Sequence, residues 1–243
     1  MTKKFFAPLV ATVLLLLSTG CGVIDYFYLP PPEDTAQELF ELGNEAMQEK
    51  DYYTAIDMYT KLKDRYPFSP FTPQAELALG DAYYLNEDFS DAVVAYQEFE
   101  ALHPRHDDMP YVLYQVGLAS YKSFTSIDRP QQVVAEGLQY LYRLRETYPT
   151  SQYAEPAGEL VLKCRRILAE REVFVGDFYM RTERFGAAWK RYQFVVDNFP
   201  DITDAASYAK KQGDVAYLKQ QKASSQRALD ESEGSWKDWF DWL

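Results

Sequence analysis

Cysteine and histidine, which build most metal centres and many nucleophilic sites, are scarce: the chain of 243 residues has two of each. It contains no phosphate-binding loop, no HExxH motif and no CxxC pair. Carboxylates are numerous, but they are dispersed along predicted helix faces, as expected of solvated surfaces. We therefore expect no enzyme, with no catalytic residue, no metal and no cofactor.

Basic charge is also in short supply. The 25 lysine and arginine residues face 37 aspartate and glutamate residues, so the net charge at pH 7 is -12. Lys3 and Lys4 are the only charges among the first 20 residues, which leaves -14 on the remainder. This balance argues against nucleic-acid binding through a basic face. An anionic membrane surface would not attract such a body, so membrane attachment should use a hydrophobic anchor.

Long hydrophobic runs are limited to one stretch near the N-terminus. The run from Phe5 to Leu17 is shorter than the roughly 20 residues of a membrane-spanning helix. It follows two lysines and leads through small residues to Cys21, the layout of a secretory signal. The small residues resemble a bacterial lipobox, although Ser18 holds the usual leucine position. The resemblance implies a diacylglycerol on Cys21; the alternative is a plain signal peptide with an incidental cysteine.

The segment after the cysteine has the composition of a tether. Gly22 stands where an aspartate would favour retention in the inner membrane, so the lipobox resemblance favours the outer membrane. Tyr26, Phe27 and Tyr28 form an aromatic cluster, and Pro30–Pro32 favour an extended spacer. We divide the chain into a signal peptide (1–20), a lipidated N-terminus and tether (21–35), a helical solenoid (36–229) and an acidic aromatic tail (230–243).

From residue 36 onward the apolar residues recur at helical spacing, and one spacing pattern occurs three times. Ala55 follows Gly43 by 12 residues, Tyr59 comes 4 later, and Pro67 comes 8 after that. The other copies are Gly80, Ala92, Tyr96, Pro104 and Gly176, Ala188, Tyr192, Pro200. Each proline ends a helix. A mid-helix glycine costs roughly 1 kcal/mol against alanine, so we expect close helix contacts at the glycines, with the alanines facing them.

This pattern resembles the tetratricopeptide repeat, a helix-turn-helix unit, and implies an all-α solenoid of about five hairpins. In the third unit, Gly117 to Pro149 spans 32 residues instead of 24, which places an eight-residue insertion near Ser123–Pro130. The apolar spacing within residues 150–168 predicts a long helix running into the fourth unit. The fifth unit, from about Thr203, keeps Gly213 but no matching proline, so we expect a degenerate capping repeat.

Four segments extend the resemblance from the repeat to one particular family. They are RYPFSPF at Arg65–Phe71, DAYY at Asp81–Tyr84, HPRHDDMPYVLYQVGL at His103–Leu118 and YPTSQYA at Tyr148–Ala154. With the lipobox and the repeats, they resemble the BamD (ComL) family, lipoproteins of the β-barrel assembly machinery in Gram-negative outer membranes. The resemblance implies a periplasmic scaffold on a lipid anchor. Its implied partners are the periplasmic domains of BamA, other assembly lipoproteins and the C-terminal signals of unfolded barrel proteins.

The resemblance also implies a peptide pocket in the N-terminal repeats. The residues that we expect to line its concave face are Tyr52, Tyr53, Arg65, Tyr66, Phe68, Tyr83 and Tyr84. Such a face would take an extended peptide that ends in an aromatic residue, and Arg65 would bind the terminal carboxylate. The alternative for each aromatic residue is a place in the repeat core.

The two histidines could imitate a metal site, because Asp107 and Asp108 follow His106. His103, however, directly precedes Pro104. That position is aromatic in the other units, where it is held by Tyr66, Tyr148 and Phe199. We therefore expect His103 to pack at the end of a helix.

Three of the four tryptophans lie in the last eight residues. Trp236, Trp239, Phe240 and Leu243 share one helix face, and Trp242 adds to the cluster. Exposed tryptophans indicate a surface that a partner buries, so we expect residues 236, 239, 240 and 242 to dock on protein. Capping of the last repeat and contact with lipid are the alternatives.

The sequence alone leaves a second function open, because a fold does not determine a function. The repeats and the lipobox also suit a pilotin for a secretin or a scaffold in cell-envelope division. The RYPFSPF segment and the HPRH segment favour the assembly machinery.

Overall fold

The computed structural model describes residues 34–240, with side chains for residues 34–232. Every regular element in that part is an α-helix, and consecutive helices pack against each other, which confirms the predicted all-α solenoid. We number the helices α1 to α9; they are Ala36–Glu49, Tyr52–Arg65, Thr72–Leu85, Phe89–Leu102, Met109–Lys122, Gln132–Thr147, Ala154–Arg181, Phe185–Asn198 and Thr203–Phe240. None of these helices is both long enough and apolar enough to cross a membrane.

The first eight helices form four hairpins, and the irregular middle is where the sequence places it. Residues 123–131 separate α5 from α6, whereas two or three residues connect the helices of the other hairpins. Helix α7 has 28 residues and carries the chain from the third unit into the fourth. In the described chain the fifth unit consists of α9, which continues from Thr203 to Phe240 without a break.

Each regular hairpin is locked by a tyrosine ring that lies over a glycine. A Cβ atom built on Gly80 would lie 2.6 Å from Cε1 of Tyr96. The same contact joins Gly43 to Tyr59 and Gly176 to Tyr192. The predicted close approach at the glycines is therefore confirmed, but the predicted facing residue is wrong. Ala92 is fully buried, yet the ring of the tyrosine four residues later covers the glycine.

The third hairpin keeps this contact with a different side chain. A Cβ atom on Gly117 would clash with Leu141, which follows it by 24 residues instead of 16. The shift of eight residues matches the insertion between α5 and α6. The insertion therefore changes the loop and leaves the packing of the two helices in register.

Both ends of the hairpins repeat in conformation. The short turns contain residues in the left-handed region, Lys50, Glu87 and Glu183, each seven residues after the repeat glycine. At the other end, the C-cap residues are Tyr66, His103, Tyr148 and Phe199, all with φ between -127° and -129°. His103 thus occupies the helix-ending position that the sequence predicts for it.

Arg165 joins the long helix to the two units beside it. Its Nε donates to Asp201 at 2.7 Å, and its Nη2 donates to the carbonyl of Asn198 at 2.8 Å. Its Nη1 donates to the hydroxyl of Tyr142 at 3.2 Å. The guanidinium therefore links α6, α7 and the turn between α8 and α9.

Replacing Arg165 should loosen this junction. We expect Arg165→Met, which keeps the aliphatic stem, to lower the free energy of unfolding by about 1–2 kcal/mol, because hydrogen bonds to charged groups are lost. Arg166→Met is the matched control, since its guanidinium pairs with Asp204 at the surface. The midpoint of urea unfolding should fall for the first variant and stay near wild type for the second. Equal shifts would contradict the role of Arg165.

Candidate binding surface

Tyrosine rings gather at the end of α3, in the first turns of α5 and at the N-cap of α7. The rings of Tyr114 and Tyr153 stack with centroids 5.6 Å apart, and Tyr111 contacts the same ring at 5.6 Å. Tyr84 packs against Phe89 at 5.5 Å. Burial raises the pKa of Tyr84, and the neighbouring Tyr114 adds to the effect. We call Tyr84, Tyr111, Tyr114 and Tyr153 the tyrosine cluster; all four are half-buried.

The half-buried carboxylate of Asp81 holds Tyr111, one member of this cluster, in place. Asp81 accepts hydrogen bonds from the hydroxyls of Tyr111 at 2.6 Å and Tyr96 at 2.7 Å, and Gln115 donates to Tyr111 at 2.8 Å. Burial raises the pKa of Asp81, while the two tyrosine hydrogen bonds act in the opposite direction. Because Asp81, Tyr96 and Tyr111 lie on three successive helices, the network fixes the orientation of α5 against the second hairpin.

The fourth hairpin has a matching network. Asp177 follows its repeat glycine directly, as Asp81 does, and accepts from Tyr192 at 2.6 Å and Tyr208 at 3.1 Å. In the first hairpin the corresponding acceptor is Asn44, which bonds Tyr59 at 2.8 Å. The residue after the glycine is thus a polar partner for the locking tyrosine in the three regular units.

The tyrosine cluster has side chains of a kind that binding surfaces use. Tyrosine offers a rigid aromatic face and a hydroxyl on a side chain with few rotatable bonds, so little conformational entropy is lost on binding. The rings come from helices that are distant in sequence, and the Asp81 network fixes one of them. The cluster is therefore a preformed surface.

The structure places the seven residues predicted to line one groove at several positions. Tyr52 and Tyr53 begin α2 and Arg65 ends it, so about 20 Å of helix separates them at 1.5 Å per residue. Tyr53 is 79% exposed. Tyr83 lines a cavity of about 180 Å³ beside Lys63 and Glu98, whereas its neighbour Tyr84 belongs to the tyrosine cluster.

Three of the seven lie together at the turn between α2 and α3. Arg65 is exposed, and Phe68 is 99% exposed. Tyr66 packs its ring on the core of the first units and donates its hydroxyl to the carbonyl of Asp34 at 2.9 Å. We call Arg65, Tyr66 and Phe68 the turn surface; it offers one cation beside an aromatic residue.

Comparison with known proteins identifies the family. A family model described as outer membrane lipoprotein matches residues 32–228. The chain belongs to this family. It is 34% identical over 186 residues to an outer membrane protein assembly factor BamD of Vibrio cholerae, covering 72% of this chain and 76% of the relative. A protein of the same name from Neisseria meningitidis serogroup A is 27% identical over 205 residues, 77% of each chain.

The resemblance to the BamD family seen in the sequence is therefore confirmed. The four segments that carried it contain three members of the tyrosine cluster that the predicted groove omits, Tyr111, Tyr114 and Tyr153. That clustering of tyrosines in family-like segments was the available signal. The sequence alone did not show that these rings meet each other.

Two sets of predicted site residues fall at the ends of the chain. Cys21 and Trp242 lie outside the described residues. Trp236, Trp239 and Phe240 belong to the last turns of α9, in the part where the structure describes the backbone only. The lipid attachment and the docking of the tail therefore stay predictions for this member of the outer membrane lipoprotein family.

His103 and Cys164 belong to the packed structure. His103 Nε2 lies 2.6 Å from a carboxylate oxygen of the buried Glu76. Among the side chains of residues 34–232, no group of three or more metal-ligand residues could hold a metal ion. Cys164 is buried, and burial raises the pKa of its thiol to about 12, which suppresses the reactive thiolate.

Proposed function

We propose that this protein is an assembly factor for outer membrane proteins that works by binding and carries no bond chemistry. It would act as a periplasmic scaffold anchored through a lipid on Cys21. Membership of the outer membrane lipoprotein family supports this role, and so do relatives named as BamD assembly factors. The periplasmic domains of BamA and other assembly lipoproteins are the proposed partners, with the tryptophan-rich end of α9 as one docking segment.

The observation that carries the proposed binding function is the tyrosine cluster. It presents aromatic faces from three helices on one preformed surface. Its ligand, we propose, is the extended C-terminal segment of an unfolded barrel protein, which ends in an aromatic residue.

The turn surface would complete the site at the other end of α3. Helix α3 has 14 residues and spans about 20 Å. An extended peptide of six or seven residues spans the same distance, about 20 Å. A peptide lying along α3 would therefore place its aromatic side chains on the tyrosine cluster and its terminal carboxylate near Arg65.

A peptide titration tests this site. The probe is a seven-residue peptide that alternates tyrosine with polar residues and ends in phenylalanine, and binding to the mature chain in detergent is followed by fluorescence anisotropy. Tyr114→Ser should weaken binding about three- to tenfold, the equivalent of an aromatic contact worth about 0.5–1.5 kcal/mol. Tyr53→Ser is the control, because Tyr53 is an exposed tyrosine outside both surfaces.

The same titration tests the role of Arg65 separately from that of the tyrosine cluster. Arg65→Gln should weaken the peptide with a free carboxylate about tenfold and leave its C-terminally amidated form unchanged, because only the carboxylate pairs with the guanidinium. Affinities that are unchanged in both Tyr114→Ser and Arg65→Gln would reject the proposed site.

A further inference from the structure

The turn surface displays an apolar residue that is held outward. Phe68 has the highest exposure of the large hydrophobic residues in the described chain. It stands between Pro67 and Pro70, which restrict the backbone of the turn. The turn is anchored on its inner side, because Phe71 stacks on Phe40 with centroids 5.5 Å apart. The anchored turn therefore holds Phe68 in solvent, where a covering segment can reach it.

The N-terminal end of the described chain lies against this same surface. The carbonyl of Asp34 accepts the hydroxyl of Tyr66, so Asp34 is held beside the turn. Thr35 caps α1, and its backbone N–H donates to Glu38 at 2.7 Å, which fixes how the chain enters the helix. Asp34 is therefore held at Tyr66, the residue between Arg65 and the Pro67–Phe68 pair of the same turn.

Those preceding residues have a composition that complements the turn surface. Asp25 carries a charge opposite to that of Arg65, and Tyr26–Leu29 contains three aromatic rings and a leucine, which are apolar like Phe68. The chain is also long enough. Phe27 lies seven residues before Asp34, which allows a reach of up to about 23 Å, of which the three prolines between them span about 9 Å.

We propose that the segment Asp25–Leu29 binds the turn surface of its own chain, with its aromatic residues on Phe68 and its carboxylate at Arg65. This contact draws the solenoid towards the lipid anchor. It also occupies the place proposed for the carboxylate end of a barrel-protein peptide, so the peptide must displace it. The displacement rests on the proposed function, whereas the contact itself does not.

Disulfide trapping in the full mature chain tests the contact. The trapping variant carries Leu29→Cys with Ser69→Cys, which places a thiol beside each partner and keeps Phe27 and Phe68. The control variant carries Leu29→Cys with Gln37→Cys, because Gln37 is an exposed residue of α1 that lies close to Asp34 along the chain. The native Cys164 is buried and does not interfere.

We expect the disulfide of the trapping variant to form at least tenfold faster than the disulfide of the control variant under mild oxidant. Adding Phe68→Ser should abolish that preference, and this exposed substitution should leave thermal stability unchanged. Equal rates, or a faster control, would overturn the contact.

A saturating amount of the seven-residue peptide extends the test to displacement. It should slow disulfide formation in the trapping variant and leave the rate in the control variant unchanged. A trapping preference that persists with bound peptide would overturn the displacement. If the peptide does not bind at all, the proposed peptide site fails while the trapping preference still decides the contact.

Discussion

Tyr96→Ala should lower the free energy of unfolding by about 3–5 kcal/mol, the range for removing a buried aromatic ring. The ring has no solvent exposure and covers the backbone of Gly80. Its removal opens a cavity between α3 and α4 and takes away one of the two tyrosine donors to Asp81. Urea unfolding followed by circular dichroism measures the change.

Tyr96→Phe separates the contribution of the ring to stability from that of the hydroxyl. This variant should cost about 1–2 kcal/mol, because one hydrogen bond to a buried group is lost while Tyr111 continues to donate to Asp81. Losses of the same size in the alanine and phenylalanine variants would show that the ring does not lock the hairpin.

Gly80→Ala should destabilise the protein by about 2–3 kcal/mol, as expected for overpacking a filled core. The new methyl group would lie 2.6 Å from Cε1 and 2.7 Å from Cδ1 of Tyr96. A shift of the buried ring also strains its hydrogen bond to Asp81. Thermal unfolding should therefore begin at a lower temperature.

Gly158→Ala is the matched control, because Gly158 also lies inside a helix. A Cβ atom there would meet Arg145 at 3.5 Å or more, which is ordinary contact. This variant should stabilise the protein by up to about 1 kcal/mol through helix propensity and a less flexible unfolded chain. Stabilisation by both alanine substitutions would contradict the close packing at the repeat glycines.

The helical hairpins could be predicted because their signals are local and recur. Glycine, alanine, an aromatic residue and proline keep a constant spacing, and the break in that spacing after Gly117 locates the insertion correctly. Helical periodicity also predicts the long α7. These features depend on the spacing of residues along the chain, which can be read directly from the sequence.

The binding surface was harder to predict because it depends on contacts between helices. Tyr114 and Tyr153 are 39 residues apart and stack only because α7 returns beside α5. The predicted groove followed the family resemblance and combined residues from both ends of α2. Tyr52 and Tyr53 lie at the start of α2 and Arg65 at its end, a separation that follows only once the helix is placed.

The fifth unit shows another feature that the repeat spacing does not predict. Leu229 follows Gly213 by 16 residues, the spacing of Gly43 and Tyr59, yet it is 56% exposed on the continuous α9. Residues 221–225 contain neither proline nor glycine, so nothing in the backbone ends the helix there. The predicted boundary at residue 230 is therefore not visible as a break in α9.

Purification of the lipidated protein from outer membranes, with identification of the proteins that accompany it, tests the proposed function most directly. The role in barrel assembly predicts that BamA copurifies at a constant ratio. A Cys21→Ser variant should leave the membrane fraction and carry less BamA. Copurification of a secretin without BamA would contradict the assembly role and support a pilotin.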